Sequence, residues 1–258
     1  MKLAISGKGG VGKTTIASAL IKAFAQRRST VYAIDADPDA CLAAGIGIAD
    51  EEARKIKPVV EMRDLIRSKS GGGTFYVLNP KLDDAVDEYC YKQGNILFLR
   101  MGDVKKGGSE CYCRENTFLN ALLSSLLLDK DDVVIMDMGA GIEHLTRGTA
   151  KGVDMMLVVV EPSKNSINTA LRVQQMAGDL GIKNVKVIGN KISSARQKEF
   201  IEKSFPDGDV LGFIPFNDSL WINAMESQDT VESRRDLLGQ IGEVSKMIEK
   251  EVGDSGQG

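Results

Sequence analysis

Aromatic side chains make up only 5% of this chain, and it has one histidine, one tryptophan and four cysteines in 258 residues. Four cysteines are too few for a disulfide framework, so the core has to come from aliphatic packing. The longest apolar run is Met155–Val160, far short of the roughly 20 residues that cross a bilayer. The amino-terminal MKLAIS reaches a glycine loop before any signal-peptide core develops. These absences predict a cytoplasmic protein that makes no use of a membrane. An excess of charge of one sign is missing too: 33 Lys and Arg stand against 36 Asp and Glu, a net charge of −3. Such a chain presents no long-range positive field for nucleic acid or anionic lipid.

What is present is a regular alternation. Short apolar runs, Lys2–Ser6, Val31–Asp35, Ile96–Arg100, Val133–Asp137, Met155–Glu161, Val185–Asn190 and Val210–Pro215, are mostly separated by helix-length amphipathic stretches. Strands apolar on both faces and alternating with helices predict an α/β fold, a mostly parallel β-sheet wrapped by helices on both faces. Residues 1–258 read as a single domain, with 50–108 as an irregular insertion. That insertion holds a helix-like Glu51–Lys69, the triplet Gly71-Gly72-Gly73, a possible edge strand Phe75–Leu78 and a polar stretch through Tyr89-Cys90-Tyr91. From Val231 to Val252, Leu237, Leu238, Ile241, Val244, Met247 and Ile248 form a helical stripe suited to core packing, and residues 253–258 read as a frayed tail.

Ligands of parallel sheets sit at the carboxyl ends of the strands, here Gly7, Asp35, Asp137, Asn190 and Pro215. Gly7-Lys8-Gly9-Gly10-Val11-Gly12-Lys13-Thr14 satisfies the full phosphate-loop pattern and stands between a strand and the helix-like Thr15–Arg28. Its glycines let backbone N–H groups aim at phosphate oxygens, Lys13 adds a charge between β- and γ-phosphates, and Thr14 offers a hydroxyl to Mg2+. Asp137, ending a buried-type strand, reads as the carboxylate that holds Mg2+ directly or through water. Met138-Gly139-Ala140-Gly141 follows as a flexible switch. Asn190 with Lys191, and Pro215-Phe216-Asn217, end later strands, at positions where the nucleotide-binding ATPases that this loop resembles hold the base; an amide such as Asn190 can donate and accept at an adenine edge, and a plain turn accounts equally well for Pro215 and Asn217.

Lys8 is not needed to cradle phosphate within one chain. With it, the loop through Thr15 resembles the deviant Walker A ATPases, the group that holds MinD, ParA and the nitrogenase iron protein. The resemblance implies Mg·ATP as ligand, ATP hydrolysis as reaction and a homodimer as the active form, with Lys8 reaching the partner's nucleotide. Asp35-Ala36-Asp37-Pro38-Asp39 resembles that group's switch I, which implies that Asp37 positions the attacking water and Asp35 lies near the magnesium; an acidic loop opening a helix is the plainer reading.

Cys111-Tyr112-Cys113 precedes the helix-like Thr117–Leu128, where thiol pKa values fall and thiolates favour metal. Two thiolates do not fill a four-coordinate site, but a two-fold dimer supplies four, suiting Zn2+, Ni2+ or an iron–sulfur cluster. Two reduced structural cysteines are the plain alternative. Gly107–Asn116 and Asp137–Gly148, taken with the phosphate loop, are similar to the CooC family, the accessory ATPases that assist nickel insertion into carbon monoxide dehydrogenase. That similarity implies Ni2+ or Zn2+ at Cys111 and Cys113, and carbon monoxide dehydrogenase or a related nickel enzyme as partner. An electron-transfer ATPase like the nitrogenase iron protein is disfavoured because its cysteines are far apart in sequence. A partition or septum-positioning ATPase is disfavoured because the tail is not a basic amphipathic helix. His144, near the switch, reads as a structural hydrogen-bonding residue.

Overall fold

The computed structural model describes residues 1–37, 41–59, 90–102, 131–140, 152–218 and 231–255. Its strands are β1 (Lys2–Gly7), β2 (Val31–Ala36), β3 (Tyr91–Gln93), β4 (Ile96–Arg100), β5 (Val133–Met138), β6 (Met155–Val160), β7 (Val185–Ile192) and β8 (Val210–Pro215). The helices are α1 (Lys13–Ala25), α2 (Leu42–Ile46), α3 (Asp50–Lys55), α4 (Lys164–Leu180), α5 (Ala195–Glu202) and α6 (Val231–Ser255). All eight strands join one sheet in the order β3-β4-β2-β5-β1-β6-β7-β8. Among the described residues only the β3–β4 pair is antiparallel.

The uninterrupted apolar strands follow from burial on both faces. Within β6, Met155, Leu157 and Val159 pack into the cluster that holds Ile16, Leu20 and Phe24 of α1 and Ile241 and Ile248 of α6. Met156, Val158 and Val160 pack instead with Ile167, Ala170, Val173 and Ala177 of α4 and Ile201 of α5. Every residue of β6 is fully buried. With each aliphatic side chain worth roughly 1.5–3 kcal/mol on full burial, the central strands leave no surface for ligand chemistry except their ends.

Three differences from the sequence reading have simple causes. The helix expected over Glu51–Lys69 ends at Lys55, with Ile56 extended; Pro58 follows closely, and the residue before a proline avoids the helical region. Tyr91, read as part of a polar insertion, opens β3, which hairpins onto β4 through Gly94-Asn95 with Gly94 at φ 61. The carboxyl-terminal helix runs to Ser255, so Gly253 continues it where a frayed end was expected. The possible strand Phe75–Leu78 lies outside the described residues.

Helix α6 packs on α1 and β8, burying Leu237, Ile241, Val244 and Ile248, whereas Met247 remains 44% exposed and so falls off the apolar stripe. Arg27 donates to Ser245 Oγ at 2.7 Å and pairs with Glu249 at 3.1 Å, and Arg28 also pairs with Glu249. Among the described residues no helix is long and apolar enough to cross a membrane. Ile241→Ala is expected to cost about 2–5 kcal/mol of stability and Met247→Ala no more than about 0.5 kcal/mol. Urea unfolding of the two variants checks this, and equal losses would contradict the packing of α6.

Candidate functional site

At the end of β1 the chain turns sharply. Gly7 has φ 144, and a Cβ there would run into the carbonyl oxygen of Val159 on β6, so the turn admits only glycine. The loop then passes through exposed Gly9 and Gly10 and buried Val11. Gly12, at φ 96, is the N-cap of α1; its carbonyl accepts from Ile16 N at 3.1 Å, and no side chain caps the helix. No acidic residue lies in the first turn. The amino end of α1 thus keeps its partial positive charge for an anion.

Lys13 is buried, and its Nζ donates to Lys8 O at 3.4 Å. Thr14 is half-buried and Thr15 exposed. The register places Ile5 of β1 beside Asp137 of β5, Asp137 beside Asp35 of β2, and Asp35 beside Arg100 of β4. Both oxygens of Asp137 are buried without a hydrogen-bond partner. Burial pushes its carboxyl up to about 7; the Thr14 hydroxyl and then the neighbouring Lys13 pull the other way, while Asp35 and Asp37 push further up.

Asp35 is fully buried, and burial raises its carboxyl to about 6 against the pull of two backbone donors. Those donors are Leu42 N at 3.1 Å and Asp37 N at 3.3 Å, so Asp35 ties the end of β2 to the start of α2. Asp37 is half-buried and close enough to act on both carboxylates. A hydroxyl at Thr14 and an unpartnered buried carboxylate at Asp137 form a donor set that suits Mg2+, whose remaining positions go to phosphate and water. The residues present therefore fit the ion that the loop implies.

On the other side of β1, across β6, buried Asn190 donates from Nδ2 to Val11 O at 2.7 Å. One amide hydrogen expected for a base is thus engaged on the phosphate loop. Lys191, at φ 60, donates from Nζ to Gly10 O at 2.6 Å and lies 3.7 Å from Glu161. Pro215 ends the outer strand β8 and Phe216 follows it, with Phe216 N donating to Ile192 O at 3.0 Å and Phe216 41% exposed. Asn217, half-buried, follows it. The sequence reading missed Arg100, whose only signal was a charge ending a buried strand, and Glu161, which has none.

Gly139 and Ala140 follow β5, but Gly141, His144 and the pair Cys111 and Cys113 lie outside the described residues. Among the described residues Cys41 is exposed and Cys90 buried, and no group of three or more His, Cys, Asp and Glu side chains is placed to hold a metal ion.

Residues 2–231 match the CobQ/CobB/MinD/ParA nucleotide binding domain. The carbon monoxide dehydrogenase accessory protein CooC of Rhodospirillum rubrum is 41% identical over 224 residues, 85% of this chain and 85% of that protein. An uncharacterized ATP-binding protein of Methanocaldococcus jannaschii is 42% identical over 228 residues, 85% of this chain and 87% of that one. Among solved structures, a chain of the MinC:MinD cell division protein complex of Aquifex aeolicus superposes with a TM-score of 0.69 at 22% identity, covering 96% of this chain and 95% of that one. The septum site-determining protein MinD of Pyrococcus horikoshii, complexed with Mg-ADP, gives 0.65 at 16% identity, covering 96% of each. At such identities both structures speak for the fold alone.

The raised carboxyls carry a pH signature. The unfolded chain releases these protons near 3.8, whereas the folded chain holds them to about 6 at Asp35 and about 7 at Asp137. The folded state binds more protons between those limits, so the stabilisation is full below the lower value and is lost as pH rises through the upper ones. Nucleotide-free protein in chelator is expected to show an unfolding midpoint that falls from about pH 4 to about pH 7 and levels off above. Asp137→Asn should flatten the upper part of that fall and raise the midpoint at the alkaline end. Calorimetric scans of both proteins check this; parallel pH curves would contradict it.

Proposed function

Because the chain belongs to the CobQ/CobB/MinD/ParA family of nucleotide-binding ATPases, we propose that it is an accessory ATPase that loads nickel into carbon monoxide dehydrogenase or a related nickel enzyme. The observation that carries this reading is the 41% identity, over 85% of both chains, to the Rhodospirillum rubrum accessory protein. The Cys111-Tyr112-Cys113 motif supports it chemically, since a metal cargo needs soft ligands that a plain ATPase does not. In a two-fold dimer the pairs from both chains would give four thiolates around one Ni2+ or Zn2+ ion, which is the cargo of the reaction.

The nucleotide site supports the ATPase half of this cycle. Backbone N–H groups of Gly7–Thr14 and the uncapped start of α1 bind the phosphates, and Lys13 places its ammonium between the β- and γ-phosphates. Mg2+, when bound between Thr14 and Asp137, supplies charge neutralisation on the phosphate oxygens. Asp37 orients a water for in-line attack, and Asp35 holds the loop that carries Asp37. Lys8, from the partner's loop, meets the charge that builds in the transition state. Because that cation is available only in the dimer, hydrolysis proceeds only while the metal-holding dimer is assembled. Asn190, Lys191, Pro215, Phe216 and Asn217 line the base side, with Phe216 offering an exposed ring for stacking.

Metal and nucleotide should separate by mutation. Cys111→Ala combined with Cys113→Ala is expected to abolish stoichiometric nickel or zinc while leaving ATP binding intact, and Lys13→Ala to do the reverse. Elemental analysis and nucleotide titration of anaerobically prepared protein check this. Full metal content in the double variant would sink the site, and about four irons per dimer would replace metal delivery by electron transfer.

A further inference from the structure

Two donors on β7 take hold of the phosphate loop from outside. Asn190 Nδ2 donates to Val11 O at 2.7 Å and Lys191 Nζ to Gly10 O at 2.6 Å, so adjacent residues of one strand bind adjacent carbonyls of the loop. The contacts span 179 and 181 residues of sequence. Asn190 is 92% buried, being 8% exposed, and a Cβ on Gly12 would collide with its Nδ2, so the amide is packed tightly under the loop. Lys191 is the one non-glycine residue with positive φ among the described residues, at 60°. A left-handed conformation is unfavourable for lysine and persists only where surrounding contacts hold it. Here the ammonium is held between Gly10 O and the Glu161 carboxylate, the latter at 3.7 Å.

The geometry points to Asn190 and Lys191 as positioning residues that preorganise the phosphate loop, in addition to any contact with the base. The peptide group is planar and trans, so its C=O and N–H point in opposite directions. Fixing the Val11 carbonyl toward β7 therefore turns the Gly12 N–H to the other side. Fixing the Gly10 carbonyl does the same for the Val11 N–H, which points back to Lys8 O at 3.5 Å and closes the loop. A loop whose N–H groups are aimed before the ligand arrives loses less order on binding, and its electrostatic stabilisation needs no rearrangement at the moment of reaction. The inference rests on the loop being the phosphate site and is independent of the metal cargo.

A ligand that lacks a base tests it. Inorganic tripolyphosphate with Mg2+ makes the phosphate contacts and none to adenine, so affinities for tripolyphosphate and ATP are measured side by side by calorimetry. Asn190→Ala, a neutral exchange, is expected to weaken both by about tenfold, the loss of one buried hydrogen bond. Lys191→Gly removes the ammonium while suiting the positive φ, and is expected to weaken both without lowering the unfolding midpoint; Lys191→Arg restores the charge and should recover binding. Loss of ATP affinity with tripolyphosphate unchanged would assign Asn190 to the base alone and overturn the proposal. Wild-type protein that binds ATP but not tripolyphosphate would overturn it as well, because a preformed cradle has to hold phosphate unaided. Wild-type protein that binds neither would overturn the phosphate-loop reading itself.

Discussion

Burying the Asp137 carboxylate at the end of a central strand, with neither oxygen hydrogen-bonded, costs free energy that a cation can offset. Desolvation dominates its raised pKa, and the neighbouring Asp35 and Asp37 add to it. The position follows from the sheet: β5 lies between β1 and β2, and helices pack on both faces, so the side chain has no path to solvent along a face. A parallel sheet of this kind confines polar chemistry to the carboxyl edge. The phosphate loop leaves β1 there, next to β5, and brings Thr14 and Lys13 to the same carboxylate. The electrostatic defect and the anion cradle therefore arise from a single topological arrangement, and together they ask for a divalent cation bearing phosphates.

The pieces of that arrangement were visible in the chain to different degrees. Strands such as Val133–Met138 and Met155–Val160 stood out because two-sided burial demands unbroken apolar runs, and the sheet and its flanking helices followed from their alternation with helical stretches. The loop Gly7–Thr14 was legible because phosphate binding constrains backbone and side chain together. β3 was hidden because three residues, none of them buried, carry almost no hydrophobic pattern; the Gly94-Asn95 turn was its only trace. Met247 was read into the core because periodicity places a residue within a stripe but cannot give the stripe's width. Asn190 was read at the carboxyl edge of the sheet, but its contact with Val11 was not foreseen, because that partner is set by strand order, which no local pattern encodes.

The loop's carbonyls extend the argument. A backbone that aims N–H groups at an anion has to turn carbonyl oxygens away from it, and those carbonyls take donors of their own. Here Lys8 O has Lys13 Nζ and the Val11 N–H, Gly10 O has Lys191, and Val11 O has Asn190. The Gly10 and Val11 donors come from β7, whose place in the sheet does not depend on ligand. The Lys13 ammonium is different, since on the proposed mechanism it belongs to the β- and γ-phosphates when nucleotide is bound. At 3.4 Å its hold on Lys8 O is a long one and readily exchanged. Nucleotide would thus leave the middle of the loop fixed while withdrawing one of two donors from the carbonyl of Lys8, the residue whose side chain is proposed to act across the dimer.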